Sequence, residues 1–541
     1  MKDKHGHTAW HRITALFLGL VLVAAACGSD GGSAGGTDGT DGTTTTASGP
    51  ERNPVKGGSL IFGTESDVAT LAPGEAAQPS DKVITLGIYD TLTTYVDGQI
   101  EPYLLESLEA NDDLTVYTGT LREGILFHDD TPLNAEAVVK HFDRLKDPAT
   151  ACPCASTISA ITSIDMPDGP EGLSLVFNLE GPDVAFPNLL AGSSGYIESP
   201  TAVANGVNLK TDGVGTGPFT LEEFSPGERV VLKAWPKYWQ TDENGIQLPY
   251  LDQLTIVPIP DSGQRLSALE TGDIDIFQSA DSKTVKQGED AGFAAQKISG
   301  SSSTILLMNN SKPPFDDVRA RQAVAYAIDK DLINERAYDG VRVPSYSGFA
   351  LDSPFYNPDA GTPQYDPEKA QELVDELGGL KFSIVCIPTP EADLILNIVK
   401  QLGEDVGMEI SLETQEQGAF VNRIFSKVGD WTAACFRSGH FIEPDSIRAG
   451  LTTDDSGNLV FYSNPEVDEL LDEARQTDDF ETRKEKYFRV QEITGEEVPL
   501  ITTLYDLFGN VYDASRVGPP PDGEPNSLGA IKPGLLYATA G

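Results

Sequence analysis

The order of apolar patterns along the chain predicts an α/β protein made of two unequal lobes. Three observations carry this. Strand-like segments dominate the first half, strand and helix segments alternate in the second, and no internal repeat runs through either. In the first half, Lys56–Thr64 reads as a turn and a strand. Ile84–Tyr95 reads as an apolar segment ending in a strand. Leu114–Leu121 alternates like a strand, and Gly124–Phe127 adds a short one. Asn134 is placed to cap a helix that carries Val138, Phe142 and Leu145 at helical spacing. Leu173–Leu179, Val230–Ala234 and Leu254–Ile259 follow as strands. A helix over Gln264–Glu270 then leads into the apolar–acidic alternation Asp273–Phe277.

The second half opens with a strand over Thr304–Met308. Asp316 or Asp317 then caps a helix predicted to run through Asn334, with Ala323, Val324, Ala327, Ile328 and Leu332 on one buried stripe. Asp366-Pro367 starts a helix that Gly378 stops, the N-cap, N1 and C′ pattern. A strand at Phe382–Ile387, a helix over Glu391–Val406 and a strand over Glu409–Thr414 give βαβ order. Trp431–Phe436 reads as a further strand. Asn464-Pro465 opens another helix, Phe480–Thr494 forms the last one, and Val498–Tyr505 is extended.

The N-terminus reads as an address. Lys2, Lys4 and Arg12 precede the apolar run Ile13–Ala26, and Ala24-Ala25-Ala26 leads straight to Cys27. The run is shorter than the ~20 residues of a membrane span. The small residues and Cys27 resemble the lipobox of a bacterial lipoprotein, with Ala24 where such boxes more often carry Leu. The resemblance implies a signal peptide over 1–26 and a lipid on Cys27. Gly28–Pro50 holds Gly, Ser, Thr, Asp and Ala with no large apolar residue, so residues 27–55 are expected to be a disordered tether.

Charge narrows the function classes. Eighty-three acidic against 38 basic side chains give −45, which disfavours nucleic acid as a partner. Apart from Cys27, the cysteines are Cys152, Cys154, Cys386 and Cys435, an even number in an exported chain. Cys386 and Cys435 lie in two strand-like runs and pair if those strands are neighbours. Cys152 and Cys154 either close a small ring or stay as thiols.

Seven stretches resemble the family 5 (peptide/nickel-type) extracellular solute-binding proteins of bacterial ABC importers, in that family's order. They are Leu104–Leu145, Gly215–Trp239, Ala268–Phe277, Pro314–Ile333, YDPEKAQELVDELG, NPEVDELLDEA and VPLITTLY. The resemblance implies a two-lobed periplasmic-binding-protein clamshell, type II and cluster C-like, that closes on its ligand. Lobe I would comprise residues 56–303 and 499–541, with an inserted subdomain over 92–212, and lobe II residues 304–498. It further implies a small peptide or peptide-like solute, permease and ATPase subunits as partners, a membrane lipid anchor at the outer face of the cytoplasmic membrane, no cofactor, and a monomer.

One motif departs from the family. Dipeptide-binding members carry a loop W-T-G-D-x-x-D-P-D whose first Asp holds the ligand's ammonium group. The matching stretch here runs Arg437-Ser438-Gly439-His440-Phe441-Ile442-Glu443-Pro444-Asp445. His440 replaces the Asp and Arg437 the Trp, so an acidic or N-blocked ligand is expected there, with Arg437 making bidentate bonds. Glu443 and Asp445 are the local acids that would otherwise pair with Arg437. Phe436, Ser438, Asn309, Thr64, Glu65 and Tyr89 are the further expected contacts. Oligosaccharides, metal complexes and haem are the alternative cargoes within the family.

An exported hydrolase is the rival class. His128, His141 and His440 are scattered, no H-E-x-x-H or C-x-x-C motif is present, and Gly192-Ser193-Ser194-Gly195 is not a G-x-S-x-G elbow. Gly213, Gly215 and Gly217 precede Pro218 and no helix follows them, so they are not read as a phosphate cradle. No metal site is expected.

Overall fold

The computed structural model describes residues 53–539, apart from 77, 97–98, 151, 153, 427, 440–441 and 522–529. Cys27, the signal segment, most of the tether and His440 therefore lie outside the described residues. No described helix is long and apolar enough to cross a membrane.

The described residues form seventeen strands, in chain order as follows. The first seven are β1 (Ser59–Thr64), β2 (Thr93–Val96), β3 (Gln99–Pro102), β4 (Leu105–Ala110), β5 (Val116–Leu121), β6 (Ile161–Asp165) and β7 (Ser174–Leu179). Next come β8 (Phe219–Ser225), β9 (Arg229–Ala234), β10 (Gln253–Pro258), β11 (Ile276–Ser279), β12 (Ala294–Met308) and β13 (Val343–Pro344). The last four are β14 (Leu380–Cys386), β15 (Met408–Thr414), β16 (Ala433–Gly439) and β17 (Leu500–Tyr512). One 11-stranded sheet runs β15-β14-β16-β12-β17-β11-β1-β10-β9-β8, with β13 also paired to β17. A separate four-stranded sheet runs β4-β5-β7-β6, and β2 and β3 form a hairpin.

The long antiparallel pair β12 and β17 serves both ends of the large sheet. Ala294–Ser299 pairs with the far end of β17, next to β11, while Ile305–Leu307 pairs with its start and also with β16. The register shifts twice between Ser299 and Ile305, so regular pairing is interrupted where the chain passes from one end to the other. The buried cores separate on either side of this break. Phe62, Ile84, Phe219, Leu232 and Ile256 pack on one side, with Phe127, Phe142 and Phe177 under the four-stranded sheet. Met308, Phe315, Val324, Phe382 and Ile395, and a second cluster around Trp431 and Tyr487, pack on the other.

Local chemistry explains most element ends. The Asn134 side chain accepts from Ala137 N at 3.0 Å and starts the helix Ala135–Lys146. Asp366, Pro367 and Gly378 bound Pro367–Leu377 as the sequence predicts, with Gly378 left-handed at φ +73. Three expectations need correction. The segment Ile84–Tyr95 begins inside a helix, Pro79–Ile88, because Pro79 and Asp81 supply helix-start chemistry; only β2 is strand. Gly124–Phe127 forms one isolated bridge, Leu126 to Pro132, rather than a strand. The helix expected through Asn334 is two helices, Val318–Ala327 and Lys330–Tyr338, because Asp329 makes a new N-cap on Leu332 N.

Both expected cysteine pairs are disulfides. β14 and β16 are parallel neighbours, which brings Cys386 and Cys435 to a Cα separation of 5.2 Å. Cys152 and Cys154 are also joined, against Gly74, whose φ of +81 lets the chain pass close to their sulfurs.

Candidate ligand cleft

A cleft of about 810 Å³ is walled by residues from distant parts of the chain. Tyr89, Tyr95, Tyr103, Tyr196, Tyr238 and Trp239 supply an aromatic wall, and Asp352 and Ile442, from the second half of the chain, line the same cleft. This volume lies within the roughly 300–1,000 Å³ of small-molecule sites.

The aromatic wall is held by a buried carboxylate. Asp90 follows the helix Pro79–Ile88 and accepts from Thr216 Oγ1 at 3.2 Å, Tyr238 OH at 3.1 Å and Trp239 Nε1 at 3.0 Å. Burial pushes its carboxyl up to about 6 against the pull of these three donors. Tyr103 OH meets Tyr238 OH at 3.0 Å and stacks edge-on with Trp239 at 5.3 Å. The glycines of Gly215-Thr216-Gly217 have a steric reason. A Cβ on Gly215 would lie 2.3 Å from Ile88 O, and one on Gly217 2.5 Å from Ile88 C. This turn therefore presses directly on the end of the helix that carries Asp90.

Two cations reach the same wall. Arg122 Nε donates to Tyr103 O at 2.6 Å, and its guanidinium carbon sits 5.6 Å from the Trp239 ring centroid. Lys532 Nζ donates to Thr94 Oγ1 at 2.9 Å and sits 5.5 Å from the Tyr103 centroid. Burial pulls the Lys532 ammonium down to about 8, opposed by Asp90.

The expected contact residues divide. Tyr89 lines the cleft. Ser438 lines a smaller cavity of about 140 Å³ inside the second core, with Ile305, Gly348 and Leu500. Phe436 packs 6.0 Å from Phe425. Thr64 is fully buried and donates to Ser66 O, and Glu65 accepts from Ala280 N and Arg265. Asn309 is fully buried and donates to Trp431 O and Gly429 O. None of these last three lines either cavity.

Arg437 has an acid partner that sequence proximity does not suggest. Its Nε lies 2.9 Å from Asp506 Oδ2, while Glu443 pairs with Arg483 and Asp445 with Arg475. Asp506 also holds Arg342 at 2.6 Å and accepts from Ser302 Oγ at 2.5 Å. Two guanidinium groups thus share one carboxylate beside the β12–β17 break. Arg437 stays 49% exposed, whereas Arg342 is 2% exposed.

Away from the cleft, Glu198 accepts from Arg144 Nε at 2.6 Å and pairs with His141. Burial alone would raise its carboxyl, but these two partners hold it down to about 2. This trio ties the helix Ala135–Lys146 to the segment before Pro200. Among the described residues no group of three or more His, Cys, Asp and Glu side chains is arranged to hold a metal ion.

Several known proteins resemble this chain. The glutathione-binding protein GsiB of Shigella flexneri is 26% identical over 476 residues, 85% of this chain and 91% of that protein. The dipeptide-binding protein of Escherichia coli K12 is 27% identical over 76% of this chain and 83% of its own length. Among solved structures, the ABC transporter-associated periplasmic binding protein DppA of Helicobacter pylori, in complex with the peptide STSA, superposes with a TM-score of 0.73 at 25% identity. It covers 90% of this chain and 98% of its own. The substrate-binding protein CtaP of Listeria monocytogenes gives 0.76 at 23% identity, over 90% and 100%. These likenesses identify the mixed α/β architecture as the two-lobed periplasmic-binding-protein clamshell, with the aromatic cleft as its candidate ligand site. The model for bacterial extracellular solute-binding proteins, family 5 Middle, matches residues 99–457, and the chain belongs to that family, the substrate-binding proteins of ABC importers rather than enzymes.

Proposed function

We propose that this protein captures a peptide-like solute outside the cytoplasm, closes on it, and delivers it to a membrane permease while a lipid on Cys27 keeps it at the membrane. The observation that carries the reading is the cleft of about 810 Å³, lined by the aromatic wall and by Asp352 and Ile442 from the other half of the chain. A solute that touches residues of both halves binds the closed arrangement more tightly and shifts the population toward it. The named ligands of the relatives, glutathione and dipeptides, set the size class. The lobe division proposed is 56–303 with 499–541 against 304–498, and the working unit is a monomer.

Arg437 is a proposed polar contact of the solute, reached from beyond the residues that line the cleft, with its sequence neighbours Phe436, Ser438 and His440 as further proposed contacts. Arg437 shares Asp506 with Arg342, which Glu391 also meets at 3.8 Å, so it presents a half-exposed cation three residues before His440, the position where the dipeptide-binding pattern carries a carboxylate. An acidic or N-blocked group of the solute fits there better than a free ammonium.

Native mass spectrometry of the freshly purified protein, followed by calorimetry with di- and tripeptides, tests the reading. A carried-over or titrated peptide bound one-to-one supports it. A carried-over sugar, haem or metal complex, with no heat from any peptide, overturns the peptide class.

A further inference from the structure

The cleft carries an arginine, Arg122, that forms no ion pair among the described residues. Arg122 is fixed on two sides, by the Nε bond to Tyr103 O and by its position over Trp239. Among the described residues no carboxylate pairs with it, although the chain carries 83 acidic side chains. The nearest buried acid, Asp90, is occupied by Thr216, Tyr238 and Trp239. A guanidinium held at its Nε and face still presents its two terminal amino groups, the edge that matches a carboxylate in bidentate fashion. Lys532 sits 5.5 Å from the Tyr103 ring centroid and lines the same cleft.

We propose that this part of the cleft is a carboxylate subsite, in which Arg122 clasps a carboxylate of the solute and Lys532 adds a second positive charge. The inference rests on the solute-capture reading above and deepens it: the cargo carries a carboxylate remote from the group that meets Arg437. The wall suits the task because its cations are pre-positioned on aromatic faces, so little side-chain freedom is lost on binding. Two exposed acids, Glu101 and Asp352, edge the cleft. Water screens them, so they weaken anion entry less than a bidentate contact favours anion binding.

The carboxylate belongs either to a peptide C-terminus or to a side chain, and the two sources separate by experiment. Thermal shift and calorimetry on the full chain would use a mixed tripeptide pool as free acids, the same pool with amidated C-termini, and citrate as a non-peptide polycarboxylate. The free-acid pool is expected to bind at least tenfold more tightly than the amidated pool if the C-terminus is held. If a side chain is held, acidic members are enriched at least tenfold among the bound peptides of both pools. Arg122→Gln should erase that preference, weakening free-acid or acidic peptides at least tenfold more than amidated, neutral ones, and Lys532→Gln should reduce it partially. Equal binding of acid and amide with no enrichment of acidic members overturns the subsite, as does an equal loss for every peptide in Arg122→Gln. If no peptide binds but citrate binds and depends on Arg122, the peptide reading fails and the subsite stands. If neither peptides nor citrate bind, both fail.

Discussion

Asp506 decides the fate of two arginines at very different depths. Arg342 and Asp506 are both almost wholly buried, so removing the acid leaves a guanidinium without its partner in a low-dielectric interior. Asp506→Ala is expected to cost about 3–5 kcal/mol in urea unfolding. Arg437→Ala removes the half-exposed partner and should cost under about 1 kcal/mol, because water screens that side of the pair. The contrast lets Arg437 be tested for ligand binding without a folding defect. Lys330 gives a pH prediction. It is buried, donates to Ser345 O at 2.6 Å, and burial pulls its ammonium down to about 7. The folded protein therefore gives up this proton near pH 7, while the unfolded chain keeps it to about 10.4. Between those values the unfolded state binds more protons, so Lys330 makes stability rise with pH. Urea midpoints at pH 7 and 9.5 should show a smaller rise in Lys330→Met than in the natural sequence. These side chains were poorly legible in the sequence. Arg437 looked for an acid within its own loop, while its partner stands 69 residues away on β17. Arg122 lies within the Leu104–Leu145 stretch, but nothing there marks it as a cleft residue, and only the fold brings it beside Trp239.

At the scale of elements, what is local was readable and what is long-range was not. Asn134, Asp366-Pro367-Gly378 and Asn464-Pro465 announce their helices because a cap needs only the next few residues. β12 was legible only from Thr304, since Ala294–Ser303 is polar and serine-rich and is held as a strand by β17 rather than by its own pattern. The strand runs around Cys386 and Cys435 were apolar enough to read, and their pairing follows from β14 lying beside β16. With a sequence separation of 49 between the cysteines, loop-closure entropy assigns this bond about 4 kcal/mol, whereas the Cys152–Cys154 ring constrains little chain. Cys386→Ala/Cys435→Ala should therefore lower the urea midpoint far more than Cys152→Ala/Cys154→Ala. A second element-level contact crosses the molecule. Arg475, at the end of Pro465–Arg475, pairs with Asp183 and Asp445, and Val184 N donates to Arg475 O at 3.1 Å. Asp183 lies just beyond β7, on the far side of the β12–β17 break from Arg475. Arg475→Met should favour opening there and weaken ligand affinity several-fold in calorimetry, with each cavity wall unchanged.

For the whole molecule, the clamshell was legible because seven separate stretches agree in order, and the continuous sheet through β12 and β17 gives that agreement a physical basis. The break in pairing between Ser299 and Ile305 is the natural place for the two halves to rotate, with Asp506, Arg342 and Arg437 clustered beside it. The lipid proposed for Cys27 would supply the address: Cys27→Ser is expected to move the protein from the membrane fraction to the soluble fraction, with ligand binding unaltered. The central claim is that a solute drawn into the aromatic cleft pulls the two halves together. Small-angle scattering during a peptide titration tests it most directly. The account predicts a radius of gyration that falls and saturates at one equivalent of bound peptide, in step with a rise in melting temperature. A radius that stays constant while peptide is shown by calorimetry to bind would contradict it.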